Sequence, residues 1–82
     1  MVTVRYFAGA RAAAGVPSEK LELDEGATVA DALDAVADGH GAELTRVLAA
    51  CSFLLDGIAV RDRTTALPPV AELDVLPPFA GG

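Results

Sequence analysis

The side chains of this 82-residue chain that could do chemistry are few: one histidine, one cysteine, two serines and twelve carboxylates. His40 stands between Gly39 and Gly41 with no cysteine or second histidine near it in sequence, so metal-ligand spacing is absent. It reads as a solvated loop residue. Cys51 opens an apolar, β-prone stretch and reads as a small buried hydrophobe rather than a nucleophile. A lone cysteine also excludes an intramolecular disulfide and a multi-cysteine iron–sulfur or metal site, and suits a reducing cytoplasm. Ser18 and Ser52 have neither a nucleophile-elbow context nor a base. Asp31, Asp34 and Asp38 fall on the wet side of a helix, where carboxylates serve solubility. Gly39-His40-Gly41 lacks the lysine and the glycine spacing of a phosphate loop. By elimination, no set of side chains in the chain forms an active site of its own, and no metal or bound cofactor is expected.

What remains is the carboxylate at the end of Leu76-Pro77-Pro78-Phe79-Ala80-Gly81-Gly82. Neither proline has an N–H, and both hold φ near about −65°, so neither extends a sheet ladder. They direct the chain outward as a thin, flexible tail over residues 77–82. From Pro78 to Gly82 it reaches roughly 16 Å, at about 3.3 Å per residue. Gly81 and Gly82 have no Cβ, so a chain end of this kind enters a slot too narrow for any other residue. A carboxylate is a poor electrophile at neutral pH. It becomes useful only when a partner with ATP converts it to an acyl-adenylate, and a tether then delivers it as a positioned group.

A body must hold that tail. The length allows one domain, residues 1–82, and 52% hydrophobic residues suffice for its core. A net charge of −6 argues against nucleic acid and favours docking onto a more basic protein surface. No apolar run has the length of a membrane span, and no secretory signal pattern opens the chain. Val2, Val4 and Tyr6 alternate with Thr3, Arg5 and Phe7 as a first strand with one face inward, and a short helical run of alanines closes at Gly15. Glu19 to Asp24 alternates as a second strand, antiparallel to the first. Thr28 with Asp31 makes a capping-box-like start for a helix whose inner face is Val29, Ala32, Leu33 and Val36, stopped by Gly39-His40-Gly41. Ala42 to Ala50 is a second helical stretch. Asp56-Gly57 is a hairpin turn between Cys51–Leu55 and Ile58–Val60. Glu72 to Leu76 is a last strand, expected to pair in parallel with the first at the sheet's centre. The order predicts an α+β layout: a mixed sheet of four to five strands over one main helix.

These residues resemble the small subunits of molybdopterin synthase, in the MoaD/ThiS group of ubiquitin-like sulfur carriers. The resemblance spans Val4-Arg5-Tyr6-Phe7-Ala8 with Arg11 and Gly15, Gly26-Ala27-Thr28-Val29, and Leu55-Asp56-Gly57. Its specific element is the tail, similar to the family's PP-x-x-GG ending. It implies a β-grasp (ubiquitin-like) fold and a sulfur carrier in which Gly82, behind Gly81, is adenylated, thiocarboxylated, and gives sulfur to cyclic pyranopterin monophosphate. The implied partners are a MoaE-like large synthase subunit and a MoeB-like adenylyltransferase that uses the ATP; neither nucleic acid nor membrane is implied. The implied partner-binding residues are Phe7, Arg11, Leu76, Pro77, Pro78, Phe79 and Ala80. Phe7 and Leu76 face away from the inward residues of their strands, as an exposed docking patch would. Sulfur carriers for thiazole, cysteine or tRNA thiolation, and a ubiquitin-like modifier or interaction module, share the same stalk.

Overall fold

A computed structural model of the chain describes residues 1–78. Strand β1 (Val2–Tyr6) leads into helix α1 (Ala8–Ala14), then β2 (Ser18–Leu21), α2 (Val29–His40), α3 (Ala42–Leu48), β3 (Ser52–Leu55), β4 (Ile58–Ala59) and β5 (Ala71–Leu76). The five strands form one sheet in the order β2-β1-β5-β3-β4. β1 and β5 pair in parallel, while β2 on β1, β3 on β5 and β4 on β3 are antiparallel. This is the mixed-sheet β-grasp arrangement predicted from the element order.

The alternation of the strands decides what is buried. Val2, Val4 and Tyr6 of β1 turn inward and stand opposite Ala71, Leu73 and Val75 of β5, all of them buried. Phe53 of β3 joins them opposite Val75. The apolar stripe of α2, Val29, Ala32, Leu33 and Val36, closes over this face with Leu44 and Leu48 of α3 and Ala10 of α1. Each fully buried aliphatic side chain contributes about 1.5–3 kcal/mol, so the two central strands and α2 hold the domain together.

The helix ends carry their own signals. Thr28 and Asp31 form the reciprocal capping box: Asp31 N–H donates to Thr28 Oγ1 at 3.3 Å, and Thr28 N–H donates to Asp31 Oδ2 at 2.8 Å. The remaining free donors of the first turn, Val29 and Ala30, bond to the carbonyls of Thr65 and Arg63 at 3.0 and 2.9 Å. The polar loop after β4 therefore serves as the lid on the N-terminus of α2. It is ordered in turn by Asp62, which accepts from the backbone and hydroxyl of Thr64, contacts that hold its carboxyl below the usual range. At the β3–β4 turn, Asp56 and Gly57 sit at φ 48° and 84°. Two positive φ values in succession make the twist-matched hairpin turn, and glycine takes the second without strain.

Most strand and helix ends differ by a residue or two from the sequence expectation, and three of the differences bear on the site. β2 stops at Leu21 rather than Asp24, because Leu21 is opposite Val2 and β1 offers no partner beyond it. α1 spans Ala8–Ala14 and takes in Gly9, so it begins directly after β1 and is longer than the run of alanines alone. α2 passes through Gly39 and ends on His40, with Gly41 leaving the helix at φ 92°. One interior glycine costs only about 1 kcal/mol relative to alanine, and the contacts made by His40, described below, offset it.

Thr28→Ala removes the capping oxygen from α2 while Thr65 and Arg63 keep their bonds. The expected loss is about 1 kcal/mol of unfolding free energy, read as a lower urea midpoint with an unchanged slope. A midpoint equal to that of the parent would show that the loop carbonyls alone cap the helix.

Candidate functional site

The site begins where the sheet lets the chain go. Val75 is paired on both sides, with Tyr6 of β1 and Phe53 of β3, and Leu76 is opposite Ser52. One step past β1, Phe7 N–H donates to the Val75 carbonyl at 3.3 Å, extending the central parallel ladder. The Phe7 carbonyl accepts from Ala10 N–H at 3.0 Å, so α1 grows directly from this residue. Pro77 and Pro78 follow, and with no N–H to give they end the ladder there. Ala8, next to Phe7, sits at φ 48°. That left-handed conformation costs an L-residue about 1–2 kcal/mol; here it stands at the junction where β1 gives way to α1.

Parallel strands deliver their ends to the same side of the sheet, so Phe7 and Leu76 emerge together. With Ala8, Gly9, Val47, Ala50, Pro77 and Pro78 they line an apolar groove at the root of the tail. Phe7 is 37% exposed, while Leu76 and Pro77 are half-buried. Four of the residues singled out from the sequence, Phe7, Leu76, Pro77 and Pro78, are thus brought into one surface. Arg11 is not among the lining residues: it stands exposed in the last turn of α1. Phe79, Ala80, Gly81 and Gly82 lie outside the described residues.

Arg5 is a residue that sequence reasoning passed over. It faces outward from β1 opposite Asp74 of β5. Its Nε donates to Asp74 Oδ1 at 2.7 Å and its Nη2 to Asp74 Oδ2 at 2.9 Å, with Glu72 Oε1 3.3 Å from Nη2. The Asp74 bond is the main cause holding the Arg5 proton still more firmly than usual. Asp74 is buried although it points to the solvent face, since the guanidinium covers it. The signal was available: once the first and last strands are set in parallel register, Arg5 and Asp74 must be neighbours.

His40 is not the solvated loop residue that its glycine neighbours suggested. It is the last residue of α2, half-buried, with Nε2 against Glu19 Oε2. Its ring meets Tyr6 edge-on with centroids 6.0 Å apart. Tyr6 hydroxyl donates to the same Glu19 oxygen at 2.8 Å. Burial first, then that bond to a carboxylate, push the phenol far above its ordinary value, so Tyr6 keeps the proton it donates to Glu19. The three side chains tie the end of α2 to the β1–β2 hairpin. Among the described residues, no group of three or more His, Cys, Asp or Glu stands close enough to hold a metal ion, and no helix is long and apolar enough to cross a membrane.

Cys51 is buried, and its thiol donates to the Val47 carbonyl at 3.1 Å. Burial pushes the thiol pKa up, outweighing a smaller opposite pull from Arg63. The thiolate is the reactive form, so native Cys51 should be alkylated at neutral pH at least about tenfold more slowly than the denatured chain. Equal rates in native protein and in urea would contradict that burial.

Comparison with known proteins adds three findings. The sequence model of the ThiS family matches residues 4–82. The molybdopterin synthase sulfur carrier subunit of Chlamydomonas reinhardtii is 37% identical over 82 residues, covering 99% of this chain and 98% of that protein. Two solved structures superpose closely. SAMP1, a small archaeal modifier protein from Haloferax volcanii, does so with a TM-score of 0.88 at 31% identity, covering 99% of this chain and 98% of its own. Subunit 1 of a putative molybdopterin converting factor from Pyrococcus furiosus does so with a TM-score of 0.85 at 29% identity, covering 95% and 97%.

Proposed function

The chain belongs to the ThiS family, and from that premise we propose that it is a sulfur carrier, the small subunit of a molybdopterin synthase. The observation that carries this reading is the full-length match to a relative named as that subunit, 37% identical over 99% of this chain. The geometry supports it. A carrier needs no active site, only a rigid base, a docking surface and a slim end. β5 supplies the base from the centre of the sheet, the groove around Phe7 and Leu76 supplies the surface, and Gly81-Gly82 supply the end.

The chemistry runs at the carboxyl of Gly82. In an adenylyltransferase of the MoeB type, a carboxylate oxygen attacks the α-phosphorus of ATP, pyrophosphate leaves, and the acyl-adenylate forms. Hydrosulfide then attacks the acyl carbon, the C–O bond to AMP breaks, and AMP leaves, giving the thiocarboxylate. Glycine at both final positions leaves the acyl carbon open to the nucleophile, and the prolines keep the tail from folding into the ladder. The carrier then docks its apolar groove on a MoaE-like large subunit, and the tail presents sulfur to cyclic pyranopterin monophosphate. Preorganised delivery replaces a bimolecular encounter, the source of the rate gain.

The likeness to SAMP1 favours a second reading, a modifier whose activated glycine is passed to an amine instead. Both begin with the same adenylate and differ in the acceptor. Phe7 and Leu76 take part in docking in the carrier reading, so Phe7→Ala and Leu76→Ala should each weaken affinity for the large subunit by about fivefold or more. Adding one residue after Gly82 should abolish sulfur transfer while leaving the melting temperature unchanged. Undiminished transfer from the extended chain would remove Gly82 from the chemistry.

A further inference from the structure

Arg5 contacts three residues, and one of them, Phe7, lines the docking groove. Asp74 takes both prongs of its guanidinium, Glu72 lies 3.3 Å from Nη2, and the guanidinium carbon stands 5.6 Å from the centre of the Phe7 ring. Two carboxylates on β5 therefore hold the guanidinium in place, and its carbon stands over the ring. A cation within about 6 Å of an aromatic centroid is attracted to it. An aromatic side chain that is 37% exposed has rotamer freedom to lose when a partner covers it. The backbone of Phe7 is already fixed through Val75 and Ala10; Arg5 acts on what is left free, the ring.

We propose that Arg5 is a positioning residue, which holds the Phe7 ring in its docking orientation before the large subunit's apolar surface arrives and tightens binding without itself filling the groove. The inference rests on the docking reading above. It requires arginine. A lysine ammonium keeps the charge but has neither the fork that spans both Asp74 oxygens nor a flat face to lay on a ring.

The test has two arms. In the free chain, the Phe7 ring protons, assigned by their loss in Phe7→Ala, should shift in Arg5→Lys at a temperature where both proteins are folded. Unchanged ring signals would overturn the inference whatever the partner does. In the second arm, the purified large subunit is titrated with the parent, Arg5→Lys, Phe7→Ala and the double variant. Arg5→Lys should weaken binding about fivefold, and the double variant should bind no more weakly than Phe7→Ala alone, because the only route from Arg5 to the partner is the ring. If Arg5→Lys costs the same factor with and without Phe7, Arg5 acts independently and the inference fails while docking through Phe7 stands. If Phe7→Ala binds like the parent, the docking reading fails and takes the inference with it.

Discussion

The structure depends on one pairing: the last strand of the chain lies against the first, in parallel, at the middle of the sheet. Its residues are 69 apart across the Arg5–Asp74 pair, so the sheet is complete only when the end of the chain has been inserted. β2 and the β3–β4 hairpin each add to one side of that centre. Long-range parallel pairing is slow to form because loop closure precedes the contacts that stabilise it. Its consequence is a fixed point of departure. Both neighbours of β5 grip Val75, and the chain leaves the sheet one residue later.

That departure point explains how a domain with so little reactive chemistry serves a chemical purpose. Its histidine is bound to Glu19 and its cysteine is packed inside, so its only tyrosine, buried and bonded to the same carboxylate, completes a set of groups committed to holding the fold. Parallel strands bring Phe7 and Leu76 out on the same side, and α1 and α3 flank them. The apolar groove is thus a by-product of the same pairing that anchors the tail. A partner that covers the groove is placed where the last residues of the chain begin.

Much of this is legible in the sequence alone, for physical reasons that differ by element. The period-2 pattern at Val2, Val4 and Tyr6 and the period-3.6 pattern at Val29, Ala32, Leu33 and Val36 are strong because burial enforces them. The capping box at Thr28 and Asp31 and the turn at Asp56-Gly57 are local chemistry, readable from adjacent residues. What escaped was set by tertiary contact. His40 looks like a loop residue between two glycines, and only the meeting of α2 with the β1–β2 hairpin places Glu19 beside it. Arg5 looks like an ordinary polar alternate until the register puts Asp74 opposite and Phe7 at its flank. Of the candidate site, the apolar half was visible from Phe7 and Leu76 facing away from their strands' inward residues; the charged clamp beside it was not.

In the proposed function the domain is a handle and the acyl group of Gly82 is the reactive part. Intact mass measurement tests it most directly, on the chain incubated with its adenylyltransferase, ATP and a sulfur donor. The expected result is a single exchange of oxygen for sulfur, mapped by fragmentation to the last residue and absent when ATP is withheld. Sulfur found on Cys51 instead, or an unchanged mass while ATP is consumed, would contradict it.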